Sequence, residues 1–302
     1  MQSSGILPLD HGEWAPIGGS ILRGVTPEIV GDILRKLLLC ERRLGGAISG
    51  SALDPIDVNP RDPIALQDAA RDLAAHVGLE DLTFVVSMAK LATNVGGHVE
   101  LRYAQSEVFI ELDSALEELP QSALAALAHE VTHKLLHEHQ VWIEPVLENE
   151  RLTDIAAVYA GFGAMLINGC ESERVTTSGQ VRTVQSFKGG YLSRGELGVT
   201  LAAVERLRPR SGEGGLTLEP EAARAVADGR RVLAGIWPDE NPASVADEVR
   251  EVVRSEQAIL ATVAKDVTFL REHVLPALEK MAKKSHRRLR EVLAEISELG
   301  FV

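Results

Sequence analysis

Aromatic side chains are scarce: Phe, Trp and Tyr together make up 4% of the 302 residues. A core for a chain of this length must therefore be built mainly from Leu, Val, Ile and Ala, which favours helices. Cysteine is nearly absent. Cys40 and Cys170 are the two present, with no C-x-x-C pair, so a disulfide scaffold is excluded and a reducing compartment is indicated. Basic charge is also short, with 31 Lys and Arg against 44 Asp and Glu and a net charge of -13. A surface this acidic argues against nucleic acid as a partner of the whole molecule. No run approaches about 18 uninterrupted apolar residues, so no membrane span is expected. No basic segment leading into an apolar run opens the chain. The expectation is a soluble, cytoplasmic protein.

Hydrophobic residues are plentiful at 45%, and their spacing marks out elements. Residues 1–25 are rich in Gly, Pro and Ser without a period. Thr26, Pro27 and Glu28 then form a helix start, with a capping hydroxyl, a proline at the first helical position and an acid in the first turn. This helix is expected to stop at Gly45-Gly46. Asp62-Pro63 open a second helix ending near Gly78. "LTFVVSMA" (82–89) reads as a buried strand; "HVELRYA" (98–104) and "EVFIEL" (107–112) alternate and read as a further pair. Pro120 opens a long helix, "WIEPVLE" interrupts it, and "NERLTDIAAVYAGFGAMLI" continues as an apolar helix to about Asn168. "PRSGEGG" (209–215) is a linker candidate. Beyond it the pattern is helical, including a long helix from Asn241-Pro242 that is broken or kinked at Pro276. The chain thus divides into an irregular and helical N-terminal segment (1–60), a central α+β domain (61–210) and a helical C-terminal domain (216–302).

The first long helix of the central region carries "LAHEVTHKLLHEH" (127–139). His129 and His133 are four apart and share a helix face, so both imidazoles can address one metal ion. Glu130 sits beside them, placed to act on water rather than to ligate. Pro120 at the start, no internal glycine and the apolar stripe Leu124, Leu127, Val131 and Leu135 support the helix. A catalytic zinc takes three protein ligands and keeps one position open. Of Glu150 and Asp154, one turn apart on the next helix, one carboxylate can complete the metal shell and the other can fix a ligating imidazole's tautomer. His, His and Glu together suit Zn2+ best among divalent metals.

His129-Glu130-x-x-His133 followed by Asn149-Glu150-Arg151-Leu152-Thr153-Asp154 resembles the gluzincin metallopeptidases. These pair H-E-x-x-H with N-E-x-x-[S/A/T]-D on a second helix. The resemblance covers roughly residues 80–170. It implies a zincin-like core in which a small sheet lies over the active-site helix, with "EVFIEL" as the edge strand that binds extended peptide. It implies zinc bound by His129, His133 and Glu150, Asp154 supporting them, and Glu130 as general base moving a proton from the attacking water to the leaving amine. The substrate would be a peptide or protein. Tyr191, on the glycine-flanked stretch "KGGYLSRGE", is the first candidate for stabilising the oxyanion, and Tyr159 the second.

Several other residues invite sharper roles than they need. His137 is about 12 Å along a helix from His129, so one metal cannot take both with His133. His137 and His139 read as surface residues near the helix end. Glu144 and Glu148 are rival third ligands, but neither has an acid four residues later. His98 could contact substrate, and His273 or His286 could fold back as a distal donor. Cys40 reads as a small buried side chain, with an inhibitory thiolate as its alternative. "KMAKKSHRRLR" (280–290) reads as a solvated basic face. The alternative to catalysis is a metal-binding regulatory or scaffold protein acting through its C-terminal helices.

Overall fold

Thr26 caps the first helix as its side chain permits, accepting from the Ile29 N–H at 3.4 Å, and α1 runs from Pro27 to Leu44. A computed structural model describes residues 24–45, 48, 51–91, 95–101, 106–178, 181–207 and 216–236. The protein is a helix-dominated α+β structure with one small mixed sheet and a separate hairpin. Asp62 caps α2 (Pro63–His76) through Ile64 N–H at 2.9 Å. Strands β1 (Thr83–Ala89), β2 (Gly97–Val99) and β3 (Glu107–Asp113) form the sheet in the order β1-β3-β2.

The sheet corrects one expectation. "EVFIEL" is β3, the central strand, parallel to β1 and antiparallel to β2. Its Val108, Ile110 and Leu112 are buried while Glu107, Phe109 and Glu111 face outward, so one face packs on the helices. The edge that borders the site is β2, whose Val99 opposes Ile110. Residues 102–105, which hold the rest of "HVELRYA" and its turn, lie outside the described residues.

A short 3₁₀ turn (Ser114–Glu118) leads into α3 (Pro120–Glu138), which is buried on nearly every side. After a tight connection, α4 (Val146–Ala157), a π turn (Val158–Phe162) and α5 (Gly163–Gly169) form one broken helical run. By length and composition, Val146–Gly169 is long and apolar enough to cross a membrane, yet its most apolar 18-residue window is buried inside the protein, and the exposed Val146 and Leu147 lie at its start. It packs against α1, α3 and α6 (Arg194–Leu207). Between α5 and α6 stands the hairpin of β4 (Glu171–Ser178) and β5 (Val181–Lys188), which helical periodicity does not announce. Helix α7 (Pro220–Ile236) lies against α6, and Ala222, Ala225, Val226 and Leu233 join the same core as α1 to α6. The expected linker, the helix from Asn241, the basic stretch 280–290, His273 and His286 lie outside the described residues.

Candidate metal centre

His129 and His133 lie one turn apart on α3, and Glu150 reaches them from the second turn of α4. One nitrogen of each imidazole and a carboxylate oxygen of Glu150 all fall within 4.8 Å of one another, so the three can hold a metal ion. Glu150 Oε2 is 3.2 Å from His129 Nε2 and 3.1 Å from His133 Nε2. The opposite ring nitrogens are both anchored. His129 Nδ1–H donates to Asp154 Oδ1 at 2.8 Å. Thr153 Oγ1 spends its one proton on the Asn149 carbonyl at 2.9 Å, so it must accept from His133 Nδ1–H at 3.3 Å. Each imidazole therefore has a proton on Nδ1 and directs Nε2 to a common point, an orientation in which both can ligate a metal once Nε2 is free of its own proton.

Asp154 is itself held in place. Its Oδ2 accepts from the backbone N–H groups of Tyr191, at 2.6 Å, and Leu192, at 2.9 Å. Asn149 steadies the start of α4 by accepting from Ile143 N–H at 3.1 Å. On the outer side of α4, Glu148 is taken by Lys36 of α1 at 2.7 Å, and Arg151 bonds Glu196 of α6 at 2.9 Å. Glu148 thus ties helices together rather than competing for a metal, and Glu144 is exposed.

The protein groups alone place excess negative charge here. Burial would lower the His129 pKa, but hydrogen bonds to Asp154 and Glu150 outweigh it and lift it to about 10. Burial would raise the Glu150 carboxyl, yet the two histidines hold it at about 2. His129, His133 and Glu150 can hold a metal ion where the Nε2 atoms converge, and two imidazoles with one carboxylate are a donor set that zinc accepts.

Glu130 is 5% exposed beside this cluster, and burial raises its carboxyl above the ordinary range against the opposing pull of the histidines. It borders a cleft of about 1050 Å³ lined by the residues just after β1, the β2 edge, and the end of β5 with the segment after it, with α3 as floor. Gly97 of β2 passes so close that a Cβ there would meet Glu130 Oε1 at 2.6 Å. Tyr191 stands at the mouth, 43% exposed, with its ring stacked 6.0 Å from that of His129. Burial and the carboxylates of Glu150, Asp154 and Glu130 raise its pKa, which keeps the phenol protonated and able to donate.

The structure therefore brings His129, Glu130, His133, Glu150, Asp154 and Tyr191 to one cleft. Tyr159 is not there: it is fully buried and donates to Glu41 of α1 at 2.5 Å. Cys40 is buried in the core and does not line the cleft, which removes the inhibitory thiolate. His137 and His139 are half-buried at the end of α3, outside the cluster. His98 lines the cleft from β2. Sequence reasoning missed the parts played by Thr153, Gly97 and the Ser193-x-x-Glu196 start of α6. The last carries a legible capping-box signal, and Glu196 accepts from Ser193 N–H at 2.7 Å. No protein-family model, curated protein or solved structure matches the chain.

Proposed function

We propose that the protein is a zinc-dependent metallopeptidase that hydrolyses peptide bonds of a peptide or protein. On this reading, α3, α4 and the β1-β3-β2 sheet form a zincin-like core, as the resemblance to gluzincins implies. The observation that carries it is the convergence of His129, His133 and Glu150 on one point, with a buried Glu130 beside them in an open cleft. His129, His133 and Glu150 would hold the zinc, which supplies Lewis acidity toward the scissile carbonyl and the attacking water. Asp154 and Thr153 orient the two imidazoles, so ligand geometry is fixed before substrate arrives. Glu130 takes a proton from the attacking water on its carboxylate and returns it to the leaving nitrogen. Burial raises its pKa above the ordinary carboxylate range, the direction that makes it a better proton acceptor. The Tyr191 hydroxyl donates to the oxygen on which negative charge develops.

Metal analysis by mass spectrometry of the purified protein, beside Glu130→Gln and a His129→Ala/His133→Ala variant, tests the reading. About one zinc per chain is expected in the native protein and in Glu130→Gln, and none in the double variant. Peptide hydrolysis should be present only in the native protein. Metal retained with no hydrolysis of a peptide library by the native protein would leave a metal-binding scaffold instead.

A further inference from the structure

The cleft mouth carries cationic side chains in a molecule whose net charge is -13. Lys90 comes directly after β1 on one wall and Lys188 ends β5 on the other; both are exposed and both line the cleft. The walls are close, for a Cβ on Gly96 would stand 3.9 Å from the ring of Phe187. Among the described residues neither lysine makes an ion pair, and the acids near them are committed elsewhere. Glu171 is the cross-strand neighbour of Lys188, but its carboxylate pairs with Arg194 at 3.4 Å. Asp113 lines the cleft near Lys90, but its two oxygens accept from Ala115 N–H at 2.7 Å and Leu91 N–H at 3.1 Å. His98 shares the Lys90 wall, where Glu111 stands opposite it in the ladder. The remaining cleft carboxylates, Glu130, Glu150 and Asp154, belong to the cluster on the floor, where Asp154 and Glu150 bond the histidines.

From this arrangement we propose that the cleft selects peptides with acidic side chains flanking the segment that crosses the floor, Lys90 and Lys188 each receiving one carboxylate. The proposal rests on the peptidase reading for turnover of the bound peptide, but not for binding itself. An acidic protein repels acidic ligands over most of its surface, and two exposed lysines lining one cleft focus the opposite preference at one place. A nucleic acid would meet the same lysines but also the surrounding negative field, so a peptide, whose charges can be confined to two positions, is the better match.

The experiment uses the full-length, zinc-loaded Glu130→Gln protein, which binds without turnover. Two fluorescent peptides identical except for Glu or Gln at the flanking positions are titrated by anisotropy. The Glu peptide should bind roughly three- to tenfold more tightly at low ionic strength, and salt should erase the difference. The preference should vanish in Lys90→Gln/Lys188→Gln and turn toward a Lys-flanked peptide in Lys90→Glu/Lys188→Glu. These lysines are exposed, so unchanged melting temperature and zinc content are expected and checked. Equal affinity for Glu and Gln peptides, no binding of either, or a preference that survives charge reversal overturns the proposal. So does a single-stranded oligonucleotide that displaces the Glu peptide at equal charge. Turnover by the wild-type protein is scored separately. Lysine-dependent binding without cleavage overturns the peptidase reading alone, and cleavage with no acidic preference overturns the selectivity alone.

Discussion

Asp154 shows how much a single side chain does at this site. It accepts from His129 Nδ1 and from two backbone N–H groups, so it fixes both an imidazole and the loop that carries Tyr191. Asp154→Ala leaves those buried donors unpaired, and should weaken metal binding by about ten- to a hundredfold while lowering stability by about 2–4 kcal/mol. Competition with a chelator gives the first and thermal unfolding of the metal-free protein the second; wild-type values in both would refute the assigned role. Gly97 makes the complementary case. A methyl at that position would press on the flexible end of Glu130, not on backbone, so the fold can yield cheaply. On the proposed peptidase reading, Gly97→Ala should keep its melting temperature and its zinc yet lose at least about tenfold in hydrolysis, because Glu130 is displaced. A variant with full activity would show that Glu130 has room the close approach denies it. The His129/His133 and Glu150/Asp154 pairs were legible in the sequence because residues four apart share a helix face, and the resemblance to gluzincins implied their roles. Gly97 was not, since its role arises only when a distant strand crosses over α3.

At the scale of elements, the break between α4 and α5 needs an account. Gly161 has φ 105°, and a Cβ there would lie 2.1 Å from the Ser51 carbonyl oxygen. The π turn frees helix carbonyls, and these are taken up from outside: His76 Nε2 lies 3.1 Å from Ala160 O, and Leu53 N–H donates to Gly161 O at 3.0 Å. The residues 51–53 and α2 are thereby fastened to the helix that carries Glu150. Gly161→Ala combines a left-handed backbone with a backbone collision, and should cost more than about 3 kcal/mol or prevent folding. His76→Phe keeps the ring against Phe162 but removes the donor, and should cost about 1–3 kcal/mol. Thermal and denaturant unfolding measure both; a His76→Phe protein as stable as wild type would mean that the carbonyl is satisfied without it. The continuous apolar pattern of "NERLTDIAAVYAGFGAMLI" announced the helix but concealed the break, because a glycine inside a helical period signals a kink only when something fills the space it opens. The β4-β5 hairpin escaped for a related reason. Its polar, threonine-rich strands pair with each other, so apolar periodicity, which reports burial, has little to register.

Over the whole molecule, charge holds the helices that carry the site. Lys36 of α1, 5% exposed, bonds both Asp32 and Glu148, while Arg151 of α4 bonds Glu196 of α6. Helices α1, α4 and α6 are joined by the Lys36–Glu148 and Arg151–Glu196 pairs, which no local pattern reveals, since each spans distant parts of the chain. The net charge of -13 reported the acidic surface but not these links. They have a pH signature. Burial would raise the Glu196 carboxyl, but Ser193 and the Arg151 guanidinium hold it below its ordinary 4.5. Glu148 is also lowered, by Lys36 against the effect of burial. A carboxyl with a depressed folded-state pKa binds protons more readily in the unfolded chain. Its contribution is therefore complete above the ordinary carboxylate range and disappears as pH falls through that range and below. Glu196→Gln preserves the hydrogen bond to Ser193 and deletes the charge facing Arg151. In chelator, where metal binding cannot contribute, this variant should be less stable than wild type at pH 7 by about 1 kcal/mol, the discounted worth of a partly screened pair. The two unfolding curves should converge as the pH is lowered below the ordinary carboxylate range, because protonation then removes from the wild type what the substitution removed from the variant. A difference that stays constant down to the acid transition would place the effect in packing or capping rather than in the ion pair across α4 and α6.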